Sequence, residues 1–227
     1  MVKKKEKSFK VYLFRHGQTY YNREHVFTGW KDSKLTPKGI KQAKIVAKML
    51  KNKKFEVAYT NDLSRCKDTL KEVLKYHPEV KQKIVDKRLR ERNYGALSGH
   101  HHSEFLKKMG EKDYKSLLHQ HKIDHLHGKA RIDFIKKQGE DDLQIVRRSY
   151  RNVPPKGESM VMVEKRVNSF LKDLIKKIKK EKINVAISAS GNSMRPIRKY
   201  FEHLSIHEMM ELENPWDNYF EYTVNIK

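Results

Sequence analysis

The sequence predicts an α/β fold, a three-layer α/β/α sandwich around a mostly parallel sheet, with a helical insertion over the active site. Two observations predict it. Short β-branched and aromatic runs alternate with amphipathic helical periods, the order that winds a parallel sheet between two layers of helices. Two of those runs also break off into polar loops, Arg15-His16-Gly17-Gln18-Thr19 and Ser188-Ala189-Ser190-Gly191-Asn192-Ser193. Open α/β sheets bind ligands at such carboxyl ends of strands.

In chain order, residues 1–8 form a basic lead-in that should fray. Residues 10–14, KVYLF, read as a buried strand that stops at Arg15-His16-Gly17. Thr36 and Pro37 supply an N-cap and a first-turn proline, and Ile40, Ala43, Ala47 and Leu50 fall on one face of the helix that follows. Residues 55–59 read as a second strand. Asp62 is expected to cap a helix whose apolar stripe is Leu63, Cys66, Leu70 and Leu74. Residues 83–86 read as a short strand. From about 100 to 150 the chain is helical in tendency, His-rich and Lys-rich, and is expected to be a cap inserted into a single domain spanning 1–227. Pro154, Pro155 and Gly157 end it. Residues 158–180 form a long amphipathic helix, 183–188 (INVAIS) the clearest buried strand, and 219–224 the last strand.

The chain has 227 residues, long enough to bury a substantial core, and its apolar residues arrive in periodic blocks although charged residues reach 35%. Lys and Arg outnumber Asp and Glu by 51 to 28, a formal charge of +23. Much of that excess is lysine on exposed helix positions such as Lys176, Lys177, Lys179, Lys180 and Lys182. A positive field of this kind draws in small phosphorylated acids and does not by itself specify nucleic acid, so no specific nucleic-acid partner is expected. Cys66 is the sole cysteine, which excludes an intrachain disulfide and fits a reducing, cytoplasmic location. No apolar run approaches a membrane span and the basic start is no signal peptide, so no membrane partner is expected. Homo-oligomerisation is left open.

A histidine beside an arginine at a strand end can host a tetrahedral anion. The guanidinium offers planar donors to phosphate oxygens, a neutral imidazole can attack as a nucleophile, and glycine lets the backbone approach closely. These three residues alone are equally compatible with a histidine that only caps a loop.

The longer pattern resembles one family. Arg15-His16-Gly17 with Asn22, Phe27-Thr28-Gly29-Trp30, Leu35-Thr36-Pro37-Lys38-Gly39, Tyr59 through Arg65, Glu91-Arg92-Asn93-Tyr94-Gly95-Ala96-Leu97, Arg147-Arg148-Ser149-Tyr150, Gly157-Glu158-Ser159 and Gly191-Asn192-Ser193 follow one another as in the cofactor-dependent phosphoglycerate mutases of the histidine phosphatase superfamily. The resemblance covers most of the chain outside residues 103–135. It implies a phosphoglycerate mutase that interconverts 3-phosphoglycerate and 2-phosphoglycerate without metal, primed by 2,3-bisphosphoglycerate. His16 would carry the phosphoryl group, Arg15 and Arg65 would neutralise its oxygens, and Glu91 would be the general acid and base. The neighbouring Arg88, Arg90 and Arg92 would oppose the raised carboxyl pKa that this role favours. Substrate contacts implied by position are Thr19, Asn22, Thr28, Gly29, Arg92, Tyr94, Arg147, Arg148 and Asn192. A phosphomonoester phosphatase of the same superfamily, and a noncatalytic binder of phosphoacids or nucleic acid, are the alternatives.

The chain departs from the family in three places. Ser190 stands where the family places a second catalytic histidine, so a positive charge facing the phosphoryl group is lost. An engineered substitution, a divergence with weak activity and a pseudoenzyme each fit, and the otherwise intact site favours the first. A lysine expected after the Tyr94-Gly95-Ala96-Leu97 turn falls near His102, within His100-His101-His102, which is not expected to bind metal. Residues 103–135 read as inserted and the stretch between Tyr150 and Gly157 as shortened, both beside the mouth of the site.

Overall fold

A computed structural model describes residues 7–226. Its strands are β1 (Lys7–Arg15), β2 (Val57–Thr60), β3 (Gln82–Val85), β4 (Val185–Ala189) and β5 (Tyr219–Ile226). The helices are α1 (Tyr20–Arg23), α2 (Pro37–Leu50), α3 (Ser64–Leu74), α4 (His102–His119), α5 (Gly128–Arg148), α6 (Met160–Glu181), α7 (Gly191–Glu202) and α8 (Ile206–Glu211).

The five strands form one sheet in the order β3-β2-β4-β1-β5, parallel except for β5, which runs antiparallel along β1. Strand alternation divides the core into two layers. Val11, Leu13, Val57, Tyr59, Val185 and Ile187 point to the face covered by α6, α7 and α8. Tyr12, Phe14, Ala58 and Ala186 point to the face covered by α2 and α3. The expected three-layer α/β/α sandwich is therefore present. Because both faces are covered, β4 and residues 11–14 of β1 are buried, which is why 10–14 and 183–188 read as continuous apolar runs.

Several local expectations need correction. Lys7 and Ser8 belong to β1 instead of a frayed end, while the rest of the lead-in lies outside the described residues. Thr36 caps α2 as expected, its hydroxyl accepting from the Gly39 amide, but the buried stripe runs through Gln42, Ala43, Val46, Ala47 and Leu50, and Ile40 is exposed. Asp62 does not cap α3. It pairs with Arg90, and the α3 amide of Ser64 donates instead to the carboxylate of Asp32 at 3.0 Å, from a distant loop. The long helix starts at Met160, capped by Ser159, and ends at Lys182 in the left-handed region.

The segment from 100 to 150 folds as the helical hairpin of α4 and α5. A side chain at Gly110 would collide with the Ile135 carbonyl and one at Gly139 with the Leu106 carbonyl, so the two glycines let the helices cross backbone to backbone. Phe27, Tyr94, Phe105, Leu143 and Val146 form a third apolar cluster that fastens this hairpin over the strand-end loops. No helix among the described residues is long and apolar enough to cross a membrane.

Candidate active site

The carboxyl ends of β1 and β4 lie side by side, with Phe14 paired to Ser188 and Arg15 to Ala189. The His16 amide continues the ladder, donating to the Ala189 carbonyl at 3.1 Å. The two polar loops singled out in the sequence are thus neighbours, as parallel pairing of their strands requires.

His16 is 2% exposed. Its Nδ1 donates to the Gly17 carbonyl at 2.8 Å, which leaves Nε2 as the lone-pair nitrogen. Burial, then the charges of Arg65 and Arg15, hold its pKa well below that of an ordinary histidine, so the imidazole is neutral. The close approach made possible by Gly17 is to the backbone of Gly39 in α2, not to a ligand, because a side chain on either glycine would strike the other segment.

Arg15 and Arg65 are both tied down by carbonyl oxygens. Arg15 Nη1 donates to Asn214 at 2.9 Å and its guanidinium stacks over Trp216 at 4.8 Å. Arg65, second residue of α3, donates from Nη1 to Lys31 at 3.0 Å and from Nη2 to Gly29 at 2.8 Å. The Nε of each is buried without a protein partner. Two fixed, partly unsatisfied guanidinium groups are what an anion site needs.

A pocket of about 160 Å³ opens at this end of the sheet, and its walls include Arg15, Asn22, Thr28, Gly29, Glu91, Tyr94, Arg147, Arg148 and Asn192. Nine of the implied residues therefore converge. His16, Arg65 and Ser190 are almost wholly buried and are not part of the wall, although Arg15 and Gly191, the chain neighbours of His16 and Ser190, are. Glu91 accepts from the amides of Arg92 at 2.8 Å and Asn192 at 3.1 Å through the same oxygen, leaving the other free. The neighbouring arginines do not crowd it: Arg88 pairs with Asp86 and Asp173, and Arg90 with Asp62.

Two implied contacts fall elsewhere. Arg92 is fully buried, its guanidinium donating to the carbonyls of Glu158, Val146 and Asn152 at 2.7, 2.7 and 2.8 Å, so it ties the hairpin to the sandwich and is absent from the pocket wall. Thr19 is also buried, and its amide and hydroxyl both donate to Asn22 Oδ1. That fixes the Asn22 amide so that Nδ2 is the end left over for the pocket.

Ser190 is the residue before α7 and is completely buried. Its hydroxyl is 3.4 Å from Asn61 Nδ2, which donates to it, and 3.5 Å from Cys66 Sγ. Burial pushes the Cys66 thiol up, so this corner of the site is neutral.

His102, Arg195, Glu213 and Asn214 line the pocket but were not among the expected site residues. His102 packs on Phe27 with ring centroids 4.3 Å apart, and burial, then the charge of Arg147, pushes its pKa down to about 4. His100, His101 and His102 face Glu104, the Glu24 carbonyl and Phe27 respectively, so the triplet does not converge. Among the described residues no group of three or more His, Cys, Asp or Glu side chains could hold a metal ion. Arg195 sits in the first turns of α7, a signal available in the Gly191-Asn192-Ser193 motif had it been extended by two residues. Glu213 and Asn214 carry no such local signal.

A family model described as the histidine phosphatase superfamily (branch 1) matches residues 11–124 and 113–223. Two relatives named 2,3-bisphosphoglycerate-dependent phosphoglycerate mutase are each 34% identical. The one from Methanococcus vannielii aligns over 89% of this chain and 85% of its own, and the one from Borreliella burgdorferi over 91% and 83%. Among solved structures, a phosphoglycerate mutase from Bacillus anthracis is similar with a TM-score of 0.66 at 22% identity, covering 96% of this chain and 89% of that one. An alpha-ribazole phosphatase from Shigella flexneri has a TM-score of 0.69 at 18% identity, covering 94% and 89%. At these identities the structural likeness speaks to fold.

Proposed function

The chain belongs to the histidine phosphatase superfamily, and we propose that it is a phosphoglycerate mutase working through a phosphohistidine on His16, slowed by Ser190. The observation that carries this reading is the neutral, buried imidazole of His16 with Nε2 free and two guanidinium groups held beside it. In this reading Nε2 attacks phosphorus as the ester P–O bond breaks. Arg15 and Arg65 balance the charge on the phosphoryl oxygens, and Glu91 gives a proton to the departing hydroxyl. In the second half Glu91 takes the proton from the other hydroxyl, whose oxygen attacks phosphorus and releases Nε2.

The priming group suggested by the relatives' names is 2,3-bisphosphoglycerate, which supplies the first phosphoryl group. Arg15 and Arg65 would hold its transferring phosphate, and their unpartnered Nε atoms fit that task. Arg147, Arg148, Asn22 and the loop of Thr28 and Gly29 would face the remainder.

A phosphomonoester phosphatase is the second reading, favoured by His102. The neutral ring stands near where the family resemblance leads to a lysine, so in this reading the accepting acid loses a cationic contact and water competes better for phospho-His16. A coupled assay for isomerisation, run beside phosphate release, tests both on the protein and on Ser190→His. Isomerisation faster than release supports the mutase. Neither activity in the histidine variant overturns the proposed function.

A further inference from the structure

The pocket wall carries one carboxylate that the proposed chemistry does not use. Glu213 follows α8, and its backbone is pinned: its carbonyl accepts from Arg198 at 3.0 Å, the next residue, Asn214, donates from Nδ2 to the Gly191 carbonyl at 2.9 Å, and the Asn214 carbonyl accepts from Arg15. Its side chain, in contrast, is 76% exposed. The carboxylate reaches across to Arg148 at the end of α5, with Nη2 to Oε1 at 2.5 Å. Arg148 also donates to the Met210 carbonyl at 3.4 Å.

Four arginines line this pocket, and they are not equally available. Arg195 is directed at the carbonyls of Met209 and Met210, and Arg15 is held by Asn214 and Trp216. Arg148 is the one whose charge is neutralised by an acidic side chain that is free to swing into solvent. The ion pair also links the α4–α5 hairpin to the segment after α8 across the mouth of the pocket.

We propose that Glu213 is a specificity-determining counter-ion: it occupies Arg148 in the empty pocket and must be displaced by the second anionic group of a substrate. A ligand anionic at one end only, seated at His16, would leave the pair in place. A ligand anionic at both ends, which the proposed function requires and on which this inference rests, exchanges its far anion for the Glu213 carboxylate. Glu213 therefore lowers affinity for doubly anionic esters and narrows the margin between them and singly anionic ones. An exposed pair of this kind has a modest coupling and is weakened by salt.

The test is calorimetric titration at low ionic strength with 3-phosphoglycerate, anionic at both ends, and glycerol 3-phosphate, anionic at one. Glu213→Gln is expected to tighten 3-phosphoglycerate by about 2- to 5-fold and to change glycerol 3-phosphate much less. In the Arg148→Ala background the same substitution should have no selective effect. Binding of both esters with no selective tightening on Glu213→Gln overturns the inference alone, as does a tightening that persists without Arg148. Circular dichroism of each variant separates these outcomes from misfolding, and Glu213→Asp, which keeps the charge but shortens its reach, should lie between the two. If neither ester binds to any folded variant, the proposed function fails and takes the inference with it.

Discussion

His16 Nδ1 lies 2.8 Å from the Gly17 carbonyl oxygen, and this contact decides which ring nitrogen can act. A carbonyl only accepts, so Nδ1 carries the proton and Nε2 the lone pair. Incubation with labelled 2,3-bisphosphoglycerate should give an acid-labile, base-stable phosphoenzyme. His16→Ala should abolish it and lower turnover by about 10,000-fold or more. A label that survives in His16→Ala would place the nucleophile elsewhere.

Ser190 offers a hydroxyl, already engaged by Asn61 and near Cys66, where the family resemblance leads to a cationic imidazole. One preorganised donor aimed at developing negative charge is worth about 100- to 1,000-fold in turnover. Ser190→His should therefore raise kcat by about that factor with little change in KM. Steady-state kinetics check it, and a variant that folds but gains less than a few-fold would remove Ser190 as the cause of slow turnover.

Arg92 is a brace and not a substrate contact. Replacing it by Met strands the buried carbonyl oxygens of Glu158 and Val146 and the part-buried one of Asn152, at a cost of about 3 kcal/mol. The melting temperature should fall by about 6 to 12 °C, and Arg92→Lys should not rescue it because an ammonium lacks the planar fork. KM measured well below the melting point should stay near that of the parent. A large rise in KM with unchanged melting would make Arg92 a ligand after all.

That case shows where sequence patterning stops being informative. Arg15, His16 and Gly17 were legible because a buried strand ends on them, and Thr36 and Pro37 because a helix start is written locally. Glu91 and Arg92 are adjacent and alike in polarity, yet one faces the pocket and the other the hairpin, and only tertiary packing decides which. Asp62 falls one residue ahead of the N-cap position of α3, which Leu63 occupies; it pairs with Arg90 instead, and Asp32 arrives from another loop to do the capping. Ile40 fits a helical stripe that is rotated slightly from the one buried. The α4–α5 crossing could have been suspected from a single glycine within each helical period, but no rule of periodicity pairs Gly110 with Gly139. Glu213 and Asn214 reach the site through the return of the chain after α8, which is a property of the topology.

Two depressed histidines, His16 and His102, contribute to the response to acid. His16 is held well below the ordinary histidine range and His102 is pushed down to about 4, in each case first by burial. Well above pH 6.5, the unperturbed value, both are neutral whether folded or unfolded and add no pH dependence. Below it the unfolded chain takes up protons that the folded chain refuses, so stability falls as the pH drops, and the His102 share is fully lost once the pH is below about 4. For His102, which is partly solvent-exposed, screening reduces this to about 1 to 2 kcal/mol. Urea midpoints measured at pH 7.5 and pH 5 should differ for the parent, and His102→Gln should reduce the difference. Parallel profiles for the two proteins would show that the His102 ring titrates normally in the fold. Because burial holds His16 well below the ordinary histidine range, phosphoenzyme formation should lose less of its rate at pH 6 than an ordinary histidine would, as long as the chain remains folded.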